Sequence, residues 1–267
     1  MSVNQQLLFL GGGNMASAII SGLVNANFVP AKHITVFDHN ISKLEKLESL
    51  YLVNIQQSII NAPDIIILAV KPHHIKTACS QVYNYIKQDT LIISVAAGIG
   101  INQLEQWLPP KTIIIRAMPN TPVSINMGAT ILYSKLYSNN AEKLFSSLGE
   151  VFWVETEQEI TAMMAISGCG PAYIFLLCES LLAAAENFKI CPKIAKKLIT
   201  QTIKGANSLY ITATSSPSEL RAAVTSPNGT TQAAITVLDP DTQKELYIQA
   251  LQAAVNRANA IEAACLD

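Results

Sequence analysis

The sequence predicts an N-terminal α/β domain on a parallel, doubly wound sheet (residues 1–156), followed by an all-helical domain (residues 157–267). Three observations predict it. Short β-branched runs alternate with helical periodicity in the first half; several of those runs are apolar on both faces, as strands of a covered parallel sheet are; and after residue 154 only apolar, Ala-rich helical stretches follow.

Strands are expected at 7–10, 34–37, 65–70, 91–95 and 112–116, with shorter runs at 129–133 and 151–154 extending the sheet. Between them, helices are expected at 15–25, from Ser42 with Glu45 completing a capping box, and at 73–87. Thr156 and Glu159 form a second capping box at the start of the helical part. Ser216-Pro217-Ser218-Glu219 combines an N-cap, Pro at the first helical position and Glu at the third. Residues 172–185 are apolar on nearly every face, more than a helical domain of about 110 residues can cover by itself, so a partner subunit is expected over them.

The composition narrows the function classes. With 267 residues, 50% apolar and 14% charged, the chain can bury a large core and is not expected to be disordered. Eighteen Lys and Arg against nineteen Asp and Glu give a net charge of −1, without a basic run, so no nucleic-acid partner is expected. The first residues lack the pattern of a signal peptide and no apolar run is read as reaching the roughly 18 residues of a spanning helix, so a soluble, cytoplasmic protein without a membrane partner is expected. Cys79, Cys169, Cys178, Cys191 and Cys265 are scattered in apolar stretches and read as buried free thiols. His33, His73 and His74 stand at strand or helix starts without a Cys, Asp or Glu cluster at ligand spacing, so no metal site is expected.

Gly11-Gly12-Gly13-Asn14-Met15-Ala16 follows the first strand and opens the first helix, the G-x-G-x-x-A arrangement of a dinucleotide site. Its glycines tighten the turn and let a pyrophosphate approach the backbone, and the helix start supplies free N–H groups. Asp38 ends the second strand, placed to accept hydrogen bonds from ribose hydroxyls, which favours NADH; His39 and Asn40 are able to take a 2′-phosphate if Asp38 turns away, so NADH or NADPH stays open. Lys71, in Ala69-Val70-Lys71-Pro72, lies at the carboxyl edge of the sheet and either faces the cofactor or is solvated. Ser94-Val95-Ala96-Ala97-Gly98 ends the fourth strand in small residues suited to a flat ring. Arg116 begins a stiff loop with two prolines, and either binds a carboxylate or ties structure together.

Two polar islands interrupt the helical half. In Ser167-Gly168-Cys169-Gly170-Pro171-Ala172-Tyr173, Pro171 cannot donate to the Ser167 carbonyl, which forces a break and leaves polar groups for a ligand, water or a neighbouring subunit, or for a simple kink. In Val224-Thr225-Ser226-Pro227-Asn228-Gly229-Thr230-Thr231, the N–H groups of Gly229, Thr230 and Thr231 at a helix start form a carboxylate site without a basic residue, with the Thr231 hydroxyl beside it; a plain Thr N-cap is the alternative.

On these motifs, together with Arg116-Ala117-Met118-Pro119-Asn120-Thr121-Pro122 and Ala96-Ala97-Gly98, the chain resembles pyrroline-5-carboxylate reductase from Leu10 to the C-terminal helix. The resemblance implies a Rossmann domain and a helical domain that dimerises with its twin, in some members as rings of dimers. It further implies reduction of the C=N bond of L-1-pyrroline-5-carboxylate to L-proline by NADPH or NADH. Carried onto this sequence, the cofactor contacts fall on Gly11, Gly12, Gly13, Asn14, Met15, Asp38, His39, Val70, Lys71, Pro72 and Ala97. The substrate contacts fall on Gly229, Thr230 and Thr231, with Pro171 at the helix break, and Thr231 is the expected catalytic contact to the ring nitrogen. Asp38-His39, Cys169, Asn228 and Arg221-Ala222 depart from the family's common residues. A related architecture acting on β-hydroxyacids wants a catalytic Lys on the inter-domain helix, and none occurs between Glu159 and Asn187.

Overall fold

A computed structural model describes residues 5–59 and 62–264. In chain order the first part contains β1 (Leu7–Leu10), α1 (Asn14–Asn25), β2 (Ile34–Phe37), α2 (Ile41–Tyr51), β3 (Asn54–Gln56), β4 (Ile65–Leu68), α3 (Ile75–Val82), β5 (Leu91–Ser94), α4 (Ile101–Trp107), β6 (Ile113–Pro119), β7 (Gly128–Tyr133), α5 (Asn139–Ser146) and β8 (Gly149–Trp153). Six helices follow: α6 (Glu157–Ser167), α7 (Gly170–Asn187), α8 (Pro192–Thr212), α9 (Pro217–Ala223), α10 (Thr230–Leu238) and α11 (Pro240–Ala264).

The strands form one sheet in the order β3-β2-β1-β4-β5-β6-β7-β8, parallel except for the β6–β7 pair. The order reverses at β1, where β2 lies on one side and β4 on the other, which opens a crevice at the carboxyl ends of these strands. Strand periodicity divides the core. Leu7, Phe9, Val36, Ile65, Ile67 and Ile93 face α1, α2 and α5, whereas Leu8, Leu10, Ile66, Leu68 and Ile92 face α3 and α4. Each of these fully buried side chains contributes about 1.5–3 kcal/mol of transfer free energy.

The chain divides into two compact units, Met1–Pro171 with Ala253–Asp267, and Ala172–Gln252. The switch to all-helical sequence at 156/157 and this division do not coincide, because α6 packs on the sheet through Ile160, which clusters with Met118 and Ile131. The second unit holds most of α7, all of α8 to α10 and the first part of α11, with Tyr173 and Tyr247 edge to face at 6.4 Å. No residue of α7 is buried within the single chain; Phe175 and Leu176 are about three-fifths exposed.

Both helical-part capping boxes form: the Thr156 amide donates to Glu159 Oε2 at 3.0 Å, and the Ser216 amide to Glu219 Oε2 at 2.7 Å. The expected box at Ser42 does not form. Asn40 caps α2 instead, its Oδ1 accepting the Lys43 amide at 3.2 Å, so Ser42 is already helical. The expected helix 73–87 is confined to α3, since Pro72-His73-His74 and Tyr83-Asn84-Tyr85 close as tight 3₁₀ turns. β3, α4 and α5 add to the expected elements.

Two further expectations are corrected. Of the cysteines, Cys79 is buried, and its burial pushes the thiol pKa up to about 12; Cys169 and Cys178 are half-buried, and Cys191 is exposed at the N-cap of α8. Cys265 lies outside the described residues. The helical stretch Glu157–Asn187, 31 residues, is long and apolar enough by length and composition to cross a membrane. The expectation that no apolar run reaches that length fails here, because Ser167, Gly168, Gly170 and Glu179 punctuate the stretch without ending its apolar character.

Candidate active site

The crevice at the sheet reversal holds a cavity of about 740 Å³, lined by Gly11, Gly13, Asn14 and Met15 from the first turn, Asp38 and His39 from β2, and Val70 and Lys71 from β4. Of the expected cofactor residues, Gly12, Pro72 and Ala97 do not line it. Asn40, expected as an alternative phosphate contact, lines it, and so do Lys43, His74 and Gln81, which the sequence reading did not single out. The signal for Lys43 was present in its spacing, three residues after the helix cap Asn40.

Gly11 has φ +101°, and a Cβ there would lie 2.7 Å from the Ala69 carbonyl oxygen, so only glycine lets β1 turn this close to β4. Gly13 is different. Its φ of −75° suits any residue and an added Cβ would meet nothing within 4 Å, so the protein's own packing places no demand for glycine there. Gly13 is the N-cap of α1 and supplies no side-chain cap, and the first turn carries no acidic residue. The first amides of α1 therefore face the cavity mouth with a partial positive charge, the environment a pyrophosphate needs. An uncapped helix start, open space at Gly13 and the cavity's size together fit a dinucleotide.

Asp38 neither turns away nor stands solvated. Its Oδ2 accepts the Gly12 amide at 2.8 Å and its Oδ1 accepts the Asn40 amide at 2.8 Å. Gly12 thus works behind the cavity wall, holding the carboxylate. Lys43 Nζ lies 4.0 Å from Asp38 Oδ2. His39 sets its ring edge-on to Phe37, with centroids 5.3 Å apart.

The small-residue loop after β5 is held from beneath. Gly98 has φ +74°, and a Cβ there would meet Ile261 Cγ2 at 2.9 Å, so the end of α11 seats directly on this turn. Glu157 Oε1 accepts both the Ile101 amide at 2.8 Å and Arg116 Nη1 at 2.7 Å. The Arg116 side chain is 3% exposed, which makes it a structural clamp between β6 and α6. Asn120 ends the same strand: its Nδ2 donates to the Ser167 carbonyl at 3.0 Å while its Oδ1 accepts the Ala129 amide at 2.9 Å. The acceptor that Pro171 leaves unpartnered is therefore taken by Asn120, within the chain.

In the second unit, the turn before α10 is built by its own polar groups. Thr225 Oγ1 donates to the Arg221 carbonyl at 2.6 Å, the Asn228 amide to Gln232 Oε1 at 2.6 Å, and the Gly229 amide to the Ser226 carbonyl at 3.0 Å. The last bond corrects the expectation that Gly229 offers a free donor. Gly229 serves by its smallness, since a Cβ would collide with Ser226 Oγ at 2.4 Å. It is also the N-cap, so Thr230 and Thr231 are the first helical residues and neither acts as a plain Thr cap. Their amides have no acceptor a turn back within the helix. Thr231 is half-buried and its hydroxyl makes no hydrogen bond among the described residues. Two amides and a hydroxyl at a positive helix end can bind a carboxylate and reach a neighbouring ring atom.

A family model for pyrroline-5-carboxylate reductase dimerisation matches residues 157–261, and one for coenzyme F420-dependent NADP oxidoreductases matches residues 6–98. Pyrroline-5-carboxylate reductase of Pseudomonas aeruginosa is 36% identical over 261 residues, 95% of each chain. That of Haemophilus influenzae is 35% identical, over 96% of this chain and 97% of the relative. Among solved structures, the Coxiella burnetii reductase superposes with a TM-score of 0.83 at 38% identity, covering 97% of this chain and 98% of the other. The Plasmodium falciparum pyrroline carboxylate reductase, solved with NADP bound, gives 0.87 at 28% identity with the same coverage.

Proposed function

The chain belongs to the pyrroline-5-carboxylate reductase family, and from that premise we propose which of its groups hold the substrate. The reaction is the reduction of L-1-pyrroline-5-carboxylate to L-proline with NAD(P)H. When bound, the cofactor supplies the hydride that attacks the C=N carbon.

The Thr230 and Thr231 amides hold the substrate carboxylate, and Thr231 Oγ1 contacts the ring nitrogen. Gly229 gives this turn its shape. The observation that carries the reading is the uncapped start of α10, where two amides and an unengaged hydroxyl share one turn. The chemistry agrees: an imine binding as its iminium, or protonated during transfer, is already electron-poor and needs orientation and a hydrogen bond more than a strong acid. On the cofactor side, the α1 amides hold the pyrophosphate, and Gly11, Gly13, Asn14, Met15, Asp38, His39, Val70 and Lys71 line its cavity. Pro72 and Ala97, which follow β4 and β5 in sequence, do not line it.

Self-association follows from the dimerisation model over residues 157–261. We place the homodimer contact on α7, whose apolar side chains are uncovered in one chain. The free thiols suit a reducing compartment, the cytoplasm. The test is cofactor oxidation on adding pyrroline-5-carboxylate to wild type, Thr231→Ala and Thr231→Ser. Turnover falls about 10- to 100-fold in the Ala variant and recovers in Ser; unchanged kinetics in Ala would remove Thr231 from the mechanism.

A further inference from the structure

The Asp38 carboxylate cannot leave the ribose edge of the nucleotide cavity, because both of its oxygens are anchored to main-chain amides, Gly12 at 2.8 Å and Asn40 at 2.8 Å. Swinging it out would strand two donors at once, a cost that a ligand would have to repay. A cofactor bearing a 2′-phosphate must therefore enter beside a fixed negative charge, and it adds about −1.5 to −2 of its own. Binding then depends on a cation within the same few ångströms.

Lys43 meets that requirement. It lines the cavity together with His39 and Asn40. Its stem lies over Gly12, whose added Cβ would stand 3.7 Å from Lys43 Cβ and 3.6 Å from Asp38 Oδ2, so the base of the side chain is fixed next to the carboxylate. Its ammonium end is free to move: Nζ is 4.0 Å from Asp38 Oδ2, beyond a direct hydrogen bond, and the side chain is 51% exposed. It also rises from the first turn of α2, whose N-terminal end adds its own partial positive charge. Lys71 and His74 line the cavity from the β4 side and lie on the other flank of β1.

Resting on the dinucleotide reading of this cavity, we propose that Lys43 is the specificity-determining residue for the cofactor: it balances Asp38 when NADH is bound and turns onto the 2′-phosphate when NADPH is bound, so that the chain uses both. The preference between them is modest, because one ammonium faces a carboxylate and a phosphate together, and the Lys43 contribution shrinks as salt is raised.

Adenosine 5′-monophosphate and adenosine 2′,5′-bisphosphate differ by the 2′-phosphate alone, and their binding to the purified protein by titration calorimetry isolates this subsite from catalysis. Lys43→Met, which keeps the stem and removes the charge, is expected to weaken the bisphosphate about 10-fold and leave the monophosphate within about twofold, with Lys43→Arg restoring the bisphosphate. The ratio of kcat/KM for NADPH over NADH falls in parallel. Equal weakening of both nucleotides, or no change in either, would overturn the assignment of Lys43. Failure of the wild-type protein to bind either nucleotide would instead overturn the cavity's reading as a dinucleotide site.

Discussion

Asn120 Nδ2 donates to the Ser167 carbonyl at 3.0 Å, closing the gap that Pro171 opens in the helical ladder 47 residues away. The Asn120 side chain also accepts the Ala129 amide through Oδ1, so one amide group ties β7 to the break between α6 and α7. Asn120→Ala is expected to lower stability by about 1–3 kcal/mol in denaturant unfolding, since buried partners lose their bonds. Asn120→Asp retains the acceptor for Ala129 and sets a carboxylate against the Ser167 oxygen, so it is expected to be no better than Ala. Wild-type stability in both variants would show that water replaces the bridge at no cost.

Arg116 and Glu157 make a different kind of link. Removing one partner of a mostly buried pair leaves the other charged in a poor environment, and Arg116→Met is expected to cost about 3–5 kcal/mol. Because Glu157 also caps α4 through the Ile101 amide, the loop after β5 loosens and cofactor affinity falls as well. The double variant Arg116→Met with Glu157→Gln should lose less than the two single losses added together, which a thermodynamic cycle measures.

Gly13 separates ligand demand from packing demand. With open space around its added Cβ, Gly13→Ala is expected to unfold with the wild-type midpoint yet bind NAD(P)H at least 10-fold more weakly, since the methyl group occupies the approach of the pyrophosphate. Cofactor fluorescence titration beside thermal unfolding reads both. Gly11→Ala, by contrast, should lose stability as well, because its methyl meets the Ala69 carbonyl.

The Thr156 amide, with help from the Glu155 amide, holds the Glu159 carboxyl below the usual carboxylate range. A depressed folded value means that the charged form stabilises the fold above the unfolded value, and that this contribution drains away as pH falls through the folded one. Glu159→Gln keeps the acceptor without the charge. Wild type is therefore expected to be the more stable at neutral pH, with the gap closing as pH drops below the ordinary carboxylate range; a gap independent of pH would contradict the cap's charge dependence.

What was legible in the sequence was local. The glycine turn, the βαβ order and the caps at Thr156 and Ser216 each need only neighbouring residues, and their chemistry is written within a few positions. β3 escaped because Asn54-Ile55-Gln56 is a short, half-exposed edge strand with no apolar alternation to betray it. The cap of α2 was misplaced because Ser42-x-x-Glu45 imitates a capping box, while Asn40 starts the helix two residues earlier and accepts the Lys43 amide. The bonds that position the site join residues far apart: Gly12 to Asp38, Arg116 to Glu157, Asn120 to Ser167. No spacing rule finds such pairs. Gly229 misled for a subtler reason, since a turn preceding a helix start can consume the very amide that a helix start otherwise leaves open.

The central claim is that the start of α10 grips the carboxylate of the substrate and its product. A crystal structure of the protein with L-proline tests it directly. Proline carboxylate oxygens within about 3 Å of the Thr230 and Thr231 amides, with the ring nitrogen beside Thr231 Oγ1, is the predicted result. Proline bound at another place, with this turn empty, would contradict it.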